Sequence, residues 1–263
     1  MYNPQLISII MPAFNAQKTI AESVTSVLAQ DYLEWELIII NDCSVDQTKD
    51  IAQEFVISDP RVKLLTLEKN VGIAKARNTG IQHATGRYLA FLDSDDVWKP
   101  NKLSTQLQFM VSNDYSFSFT SYELMDFEGQ LLGKTIRAKK VVDYRTLLPN
   151  NCIGCLTVMI DRKQIPDVIM PEIKHEDFAT WLNILKKGIK AFGLEEPLSV
   201  YRVSEFSTSA NKLKVIPWIW SIYRQNQGFG IIRSSLLLMV NVVKLIIKYF
   251  RTGMLKKVVK RVH

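Results

Sequence analysis

Three short polar clusters interrupt the first hundred residues, each directly after an apolar run. Pro12, Ala13 and Asn15 follow LISIIM, Asn41, Asp42 and Ser44 follow ELIII, and Asp93, Ser94, Asp95 and Asp96 follow YLAFL. Taken singly, each cluster has an ordinary explanation, because Asn, Asp and Ser start turns and cap helices. Their recurrence at corresponding places argues for more, as does the density of carboxylates at Asp93, Asp95 and Asp96. Carboxylates this close raise one another's pKa unless a cation sits among them. A divalent ion with oxygen ligands, Mg2+ or Mn2+ bridging the phosphates of a donor, is the economical explanation. Between the second and third clusters lies a stretch from Asn70 to Gly80 in which Gly72 would open a helix and Lys75 and Arg77 could meet phosphate charge. The competing reading of either cation is solvated helix surface. The spacing G-x-x-x-x-G-K-[ST] is absent, and no G-x-G-x-x-G follows the first apolar run, which removes most support for kinase-like and nicotinamide-dependent chemistry. A further acidic pair, Glu176 and Asp177, opens a later helical pattern. There the helix dipole alone would favour carboxylates, so structure and catalysis are both open for it.

Positioning these clusters requires a particular scaffold. Short β-branched runs alternate four times with helical patterns: LISIIM, then Ile20, Val24, Val27 and Leu28; ELIIIN, then Ile51, Ala52, Phe55 and Val56; VKLLTL, then about Gly72 to Ala84; and finally YLAFLD. That alternation predicts βαβ crossovers and a mostly parallel sheet flanked by helices, with ligands beyond the carboxyl ends of the strands. Pro100 should begin another helix, with Leu103, Leu107, Met110 and Val111 on one face. Afterwards the pattern changes to a mixed, more antiparallel half: a hairpin from SFSFTSYELMDF through Glu128 and Gly129 to LLGKTI, the strand LTVMID, a helix from about Glu176 to Lys187 closed by Gly188, and the strand PLSVYRV. The expected organisation is an α/β unit over 1–215, comprising a mostly parallel half (1–99) and a mixed half (100–215), followed by a helical basic tail (216–263).

The ordered set of motifs resembles the family-2 glycosyltransferases with the A-type glycosyltransferase fold. The matching pieces are the P-A-x-N that ends the first strand, N-D-C-S-x-D-x-T at 41–48, N-x-G-x-x-x-A-R-N-x-G at 70–80, F-L-D-S-D-D at 91–96, Glu176-Asp177 with Trp181-Leu182, and Tyr201-Arg-Val with Ser207 to Ser209. The likeness covers roughly residues 5–210, and within the family it is similar to bacterial enzymes of surface polysaccharides such as the teichuronic-acid type. It implies that Pro12, Ala13 and Asn15 border the nucleotide base, that Asp42 hydrogen-bonds it, and that Arg77 lies near base and phosphates. Asp93 and Ser94 would face the nucleotide-sugar, with Asp95 the direct metal ligand and Asp93 on the metal side. Asp177 would be the general base, with Glu176 in support, and within a catalytic domain over 1–215 residues 1–99 would be the nucleotide-sugar-binding half and 100–215 the acceptor-binding half. The implied activity is inverting transfer of a single sugar from a nucleotide-sugar, UDP-linked by preference, to a hydroxyl of a glycan or polyprenyl-diphosphate-linked acceptor, with Mn2+ or Mg2+ as cofactor. Single transfer is expected because the Q-x-x-R-W pattern of processive relatives is missing. Three positions depart from the family pattern: Asn41 stands for Asp, Cys43 for Gly, and Ser204 for His.

Charge distribution narrows the partners. Phe229 to His263 holds eight Lys or Arg and no Asp or Glu, which leaves 25 basic and 26 acidic residues elsewhere. The body is therefore near neutral, which argues against a nucleic-acid partner. From Ile231 to Phe250 the chain is apolar but interrupted by Arg233, Lys244 and Lys248, too charged for a membrane span. Ser234, Asn241, Lys244, Lys248 and Arg251 share one helical stripe, the pattern of a helix lying on an anionic membrane surface; packing on protein, on this chain or a second copy, is the competing reading. Three cysteines cannot make a disulfide framework and the first residues do not form a signal peptide, so a cytoplasmic site on the inner membrane face is expected. The C-x-x-C of Cys152 and Cys155 lacks a second pair for zinc and reads as two small apolar residues. Two other functions compete: a catalytically silent nucleotide-sugar-binding or scaffold subunit, and a nucleotidyltransferase, which would want a Gly-rich phosphate loop after the first strand.

Overall fold

In the computed structural model, which describes residues 3–203 and 212–252, the four alternations form as expected. They are β1 (Asn3–Ala13), α1 (Ile20–Leu28), β2 (Trp35–Asn41), α2 (Thr48–Ser58), β3 (Val62–Thr66), α3 (Ile73–His83) and β4 (Gly86–Phe91). Strands β2 and β4 flank β1, and β3 flanks β2, all in parallel. Every residue of β2 is buried, as a parallel strand covered on both faces requires. The period-2 alternation of β1 divides the core. Ile7, Ile9 and Met11 face one side with Val24, Leu37 and Leu103, whereas Ile10 faces the other with Ile40, Phe91 and Trp181.

The second half adds β5 (Val97–Trp98), α4 (Lys102–Asn113), β6 (Phe117–Met125), β7 (Leu131–Ile136), β8 (Val141–Val142), α5 (Tyr144–Leu147), β9 (Met159–Asp161), α6 (Glu176–Lys186) and β10 (Ala191–Arg202). The main path of the single sheet runs β3-β2-β1-β4-β9-β6-β10-β5, with β7 on β6 and β8 on β10. Strand β9 lies antiparallel between β4 and β6 and so joins the two halves. The long pair β6–β10 is parallel, so the second half is mixed, with its antiparallel character supplied by β5, β7, β8 and β9. Two expected strands have different extents. LTVMID begins as a 3-10 turn over Cys155–Thr157 and is a strand only from Met159. PLSVYRV is the end of a strand that starts at Ala191, with its register interrupted around Pro197.

Beyond β10, α7 (Lys212–Ser221), a π-helical turn (Ile222–Asn226) and α8 (Ile231–Thr252) follow. Ile222, Tyr223 and Phe229 belong to the same buried cluster as Trp181 and Phe178, and the Tyr223 hydroxyl donates to Leu148 O at 2.7 Å. Ser204, Ser207 to Ser209 and the chain from Gly253 onward lie outside the described residues. Among the described residues no helix is long and apolar enough to cross a membrane.

Candidate active site

The loops after β1 and β2 are tied to each other. Asn15, at φ 50°, donates its amide to Ser44 Oγ at 3.0 Å and accepts from the Val45 amide at 3.0 Å, and the Ala16 amide donates to Thr48 Oγ1 at 2.7 Å. Pro12 and Ala13 are buried in the last turn of the strand, leaving Asn15 exposed at the rim. Asp42 is buried; its carboxylate accepts the amides of Val71 at 2.7 Å and Gly72 at 2.9 Å. It thereby folds the 70–72 segment against the sheet edge. Gly72, at φ 85°, caps α3 in a backbone conformation that favours glycine.

Gly80 sets how closely α3 can approach the sheet. A Cβ there would stand 2.6 Å from Ile40 Cδ1 and 2.7 Å from Ile10 Cγ2. That approach carries Arg77 under the strand ends, where it is almost fully buried. The sequence left solvated surface open for this residue, and the structure removes that option. Its guanidinium forks between Asp93, from the exit of β4, and Glu176, at the start of α6. Burial works against the charge, but Asp93 and Glu176 outweigh it and hold Arg77 firmly protonated. A planar guanidinium can hold two carboxylates at once, which an ammonium cannot do equally well.

The exit of β4 turns through an Asp93 O to Asp96 N hydrogen bond of 3.1 Å. Ser94 and Asp96 are buried, Asp93 half-buried and Asp95 exposed. Although its tip reaches solvent, the mass of protein around Asp95 and then the charge of Asp93 push its pKa up to about 6. Burial, then Asp95 and Asp93, push Asp96 up as well, and Asp96 Oδ2 has no hydrogen-bond partner. An excess of negative charge on hard oxygen atoms fits a divalent cation. Among the described residues no three His, Cys, Asp or Glu side chains converge as a ready-made cage. The protein would thus supply Asp95, with Asp93 beside it, and donor phosphates and water would complete the shell, as is usual for Mg2+.

Arg202, whose place in the Tyr201-Arg-Val motif the sequence showed without a role, braces this turn. Its amide donates to Asp96 Oδ1 at 2.9 Å and its Nε to Asp95 O at 2.7 Å, while Nη1 reaches Phe127 O at 2.9 Å and Nη2 pairs with Glu22. One buried side chain thus fixes the acidic turn to α1 and to the β6–β7 hairpin. Nothing local in the sequence distinguishes it from a surface arginine.

Across Arg77, α6 begins at His175 in the left-handed conformation (φ 56°) without a side-chain cap. Glu176 is buried, and burial raises its pKa against the opposing pull of Arg77. Asp177 is half-buried and accepts a long hydrogen bond of 3.4 Å from Asn151 Nδ2. Trp181, one turn on, packs against Phe91 and Phe117 at ring distances of 5.8 and 5.3 Å, which anchors α6 to the strand that delivers Asp93. The buried Cys155 thiol lies within electrostatic reach of Arg77, Asp93, Asp177 and Glu176. Asp93, Arg77, Glu176 and Asp177 therefore occupy one charged neighbourhood, contiguous through Asp93 with Asp95. All three cysteines are thiols, and Cys155 packs as a small apolar residue behind the acids.

A parallel half ending in an acidic turn, joined through β9 to a mixed half that brings Glu176 beside it, has the architecture of the A-type glycosyltransferases. The profile of glycosyl transferase family 2 matches residues 8–163, and the chain belongs to that family. It is similar to the putative teichuronic acid biosynthesis glycosyltransferase of Bacillus subtilis, with 48% identity over 88% of this chain and 92% of that one. It is also 44% identical to a UDP-Glc:alpha-D-GlcNAc-diphosphoundecaprenol beta-1,3-glucosyltransferase of Escherichia coli, over 82% of this chain and 85% of that one. Two solved structures share the fold. One is Staphylococcus aureus TarS in complex with UDP-GlcNAc, with TM-score 0.67 and 20% identity over 90% of this chain and 71% of that one. The other is a mannosyltransferase from Pyrobaculum calidifontis in complex with GDP-Man and Mn2+, with TM-score 0.67 and 15% identity over all of this chain and 82% of that one.

Proposed function

We propose that this glycosyltransferase is an inverting, divalent-cation-dependent enzyme that moves one sugar from a UDP-sugar to a hydroxyl of a polyprenyl-diphosphate-linked glycan. The observation that carries the reading is the Arg77 fork, which links the acidic turn after β4 to the helix that bears Asp177. Single displacement needs a carboxylate on the acceptor side and charge stabilisation on the leaving side, from different parts of the chain. Asp177 takes the proton of the acceptor hydroxyl as its oxygen bonds to the anomeric carbon. The carbon–oxygen bond to the diphosphate breaks, its electron pair leaves with the diphosphate, and the configuration inverts. Asp95, with Asp93 beside it, would hold a divalent cation, which would supply neutralisation of that departing charge. Arg77 holds Asp93 and Glu176 in place through its two ion pairs, so that Glu176 acts as a positioning residue for Asp177. Asn15, Pro12 and Ala13 would form the wall for the base, with Asp42 holding the 70–72 segment that faces it and Ser94 lining the acidic turn.

The named acceptor of the Escherichia coli relative supports a lipid-linked acceptor here. In this reading residues 1–215 are the catalytic unit and 216–263 a basic tail that holds the enzyme on the cytoplasmic face of the membrane, close to such an acceptor. Replacing Asp177 by Asn tests the mechanism: transfer should fall about a hundred- to ten-thousandfold while donor binding, read by thermal stabilisation with UDP-sugar and Mn2+, is retained. Full turnover in that variant would sink the proposal, and a wild-type chain that binds donor yet never turns over would mark a silent binding subunit instead.

A further inference from the structure

The way α8 sits on the body settles which of its faces is spoken for. Ser234 is completely buried, and Leu237 packs on the core cluster. Asn241 Nδ2 donates to the Tyr223 hydroxyl at 2.7 Å. The polar stripe that the sequence assigned to water or headgroups is, at its first two positions, the side that packs on protein. The opposite side is apolar and exposed: Ile232, Leu236, Met239 and Val243 are 80%, 55%, 58% and 48% exposed. At about 100° per residue these four fall within an arc of roughly 60°, with Val240 beside it. A helix that turns polar residues inward and an aliphatic row outward is inverted relative to a soluble protein's surface helix.

We propose that this outward row of α8 inserts into an anionic lipid surface, with the helix axis in the plane of the interface. The proposal rests on the peripheral-membrane reading above and assigns the face that performs it. The occupant must be apolar where it meets the row and negative overall, because the chain from Phe229 onward carries eight cations and no acid. A second copy of the same segment would bring eight more cations against the first eight, whereas an anionic bilayer satisfies both demands at once. The docking is coupled to the site. Gln227, which closes the π-helical turn that receives α8, binds α6 through its Nε2, which donates to Asn183 Oδ1 at 2.9 Å, and α5 through its Oε1, which accepts from the Tyr144 hydroxyl at 2.7 Å. The membrane would thus hold the helix bearing Asp177 at a fixed height above the lipid headgroups, where a lipid-linked hydroxyl is presented.

The test uses the full-length chain and vesicles of phosphatidylglycerol and phosphatidylcholine, with pure phosphatidylcholine as the neutral comparison. The triple variant Leu236→Glu, Met239→Glu, Val243→Glu changes exposed positions only, so its melting temperature and its stabilisation by UDP-sugar with Mn2+ should match wild type. Its partition onto the anionic vesicles should fall about tenfold or more. A second variant, Met239→Trp, should show emission shifted to the blue by anionic vesicles, relative to wild type, and unshifted by neutral ones. Equal sedimentation of the triple variant and wild type would overturn the assignment of the face. Wild-type protein that ignores anionic vesicles would overturn the membrane reading itself, while retained donor stabilisation would leave the glycosyltransferase reading standing. A wild-type dimer that the triple variant splits into monomers, with no vesicle binding by either, would assign the row to a second copy and likewise overturn the proposal.

Discussion

Glu36 shows how much one buried side chain can contribute. It lies in the fully buried β2 and accepts from Ser8, from Thr85 twice and from Lys63. Burial alone would raise its pKa, but those donors outweigh burial and bring it down to about 2. A carboxyl held below its unfolded value of about 4.3 stabilises the fold above that pH and loses its contribution as pH falls through the folded value, here between about 4 and 2. Glu36→Gln should therefore cost about 2–3 kcal/mol at pH 7, with the deficit shrinking toward pH 2. Urea unfolding at pH 7, 4 and 2.5 would measure it; a constant deficit would mean that packing, not ionisation, is at stake. Cys43 is a smaller case. It stands at φ 59°, in the left-handed region that glycine occupies without strain, which gives a physical reason for the glycine that the family resemblance implies at this position. Cys43→Gly should stabilise the protein by about 1 kcal/mol, or about 2–4 °C in Tm, and leave transfer unchanged in a donor-turnover assay.

Among the elements, α3 carries the most consequence for the site, because its depth against the sheet decides where Arg77 reaches. Gly80→Ala would gain about 1 kcal/mol of helix propensity but press a methyl into Ile10 and Ile40, both fully buried, at about 1–3 kcal/mol of overpacking. The expected outcome is a modest fall in Tm and a larger fall in kcat, since α3 must shift outward and loosen the fork to Asp93 and Glu176. A kcat loss no greater than the stability change explains would mean that the depth of α3 is not what sets the site. This helix was legible in the sequence: Gly72 and Gly80 punctuate it, and the cluster residues fall at strand ends as periodicity predicted. The remainder depended on long-range contacts. LTVMID loses its first residues to a 3-10 turn whose Leu156 carbonyl accepts from Trp98 Nε1 at 2.8 Å and from Ser199 Oγ at 3.3 Å, partners 58 and 43 residues away. The pairing of Arg77 with Glu176 spans 99 positions, and the brace of Arg202 on Asp95 spans 107. No local pattern encodes either. The inward turn of the polar stripe on α8 was hidden for the same reason, because Tyr223 reaches it from a π-helical turn that no periodicity announces.

At the scale of the whole molecule, charge is separated between a near-neutral body and a strongly basic tail, and inside the body three acids, Asp93, Asp95 and Asp96, crowd a single turn. Asp93, Asp95 and Asp96 raise the free energy of the empty protein by mutual repulsion, and Arg77 and Arg202 relieve only part of it, since Asp96 keeps an unpartnered buried oxygen. A cation alone finds few protein ligands there, and a nucleoside diphosphate alone adds negative charge to an acidic turn. Together they complete each other's coordination and charge, so the linkage should be cooperative. UDP with Mn2+, each at about a hundred times the dissociation constant of the ternary complex, should stabilise the protein by about 2.7 kcal/mol, which corresponds to roughly 5–10 °C in Tm. Either component by itself should shift Tm by a small fraction of that. The measurement is a thermal scan of the full-length chain at four conditions: no addition, Mn2+, UDP, and both. Equal shifts with UDP alone and with both would show that nucleotide binding does not use the acidic turn, and Asp95 would then lose its assignment as cation ligand.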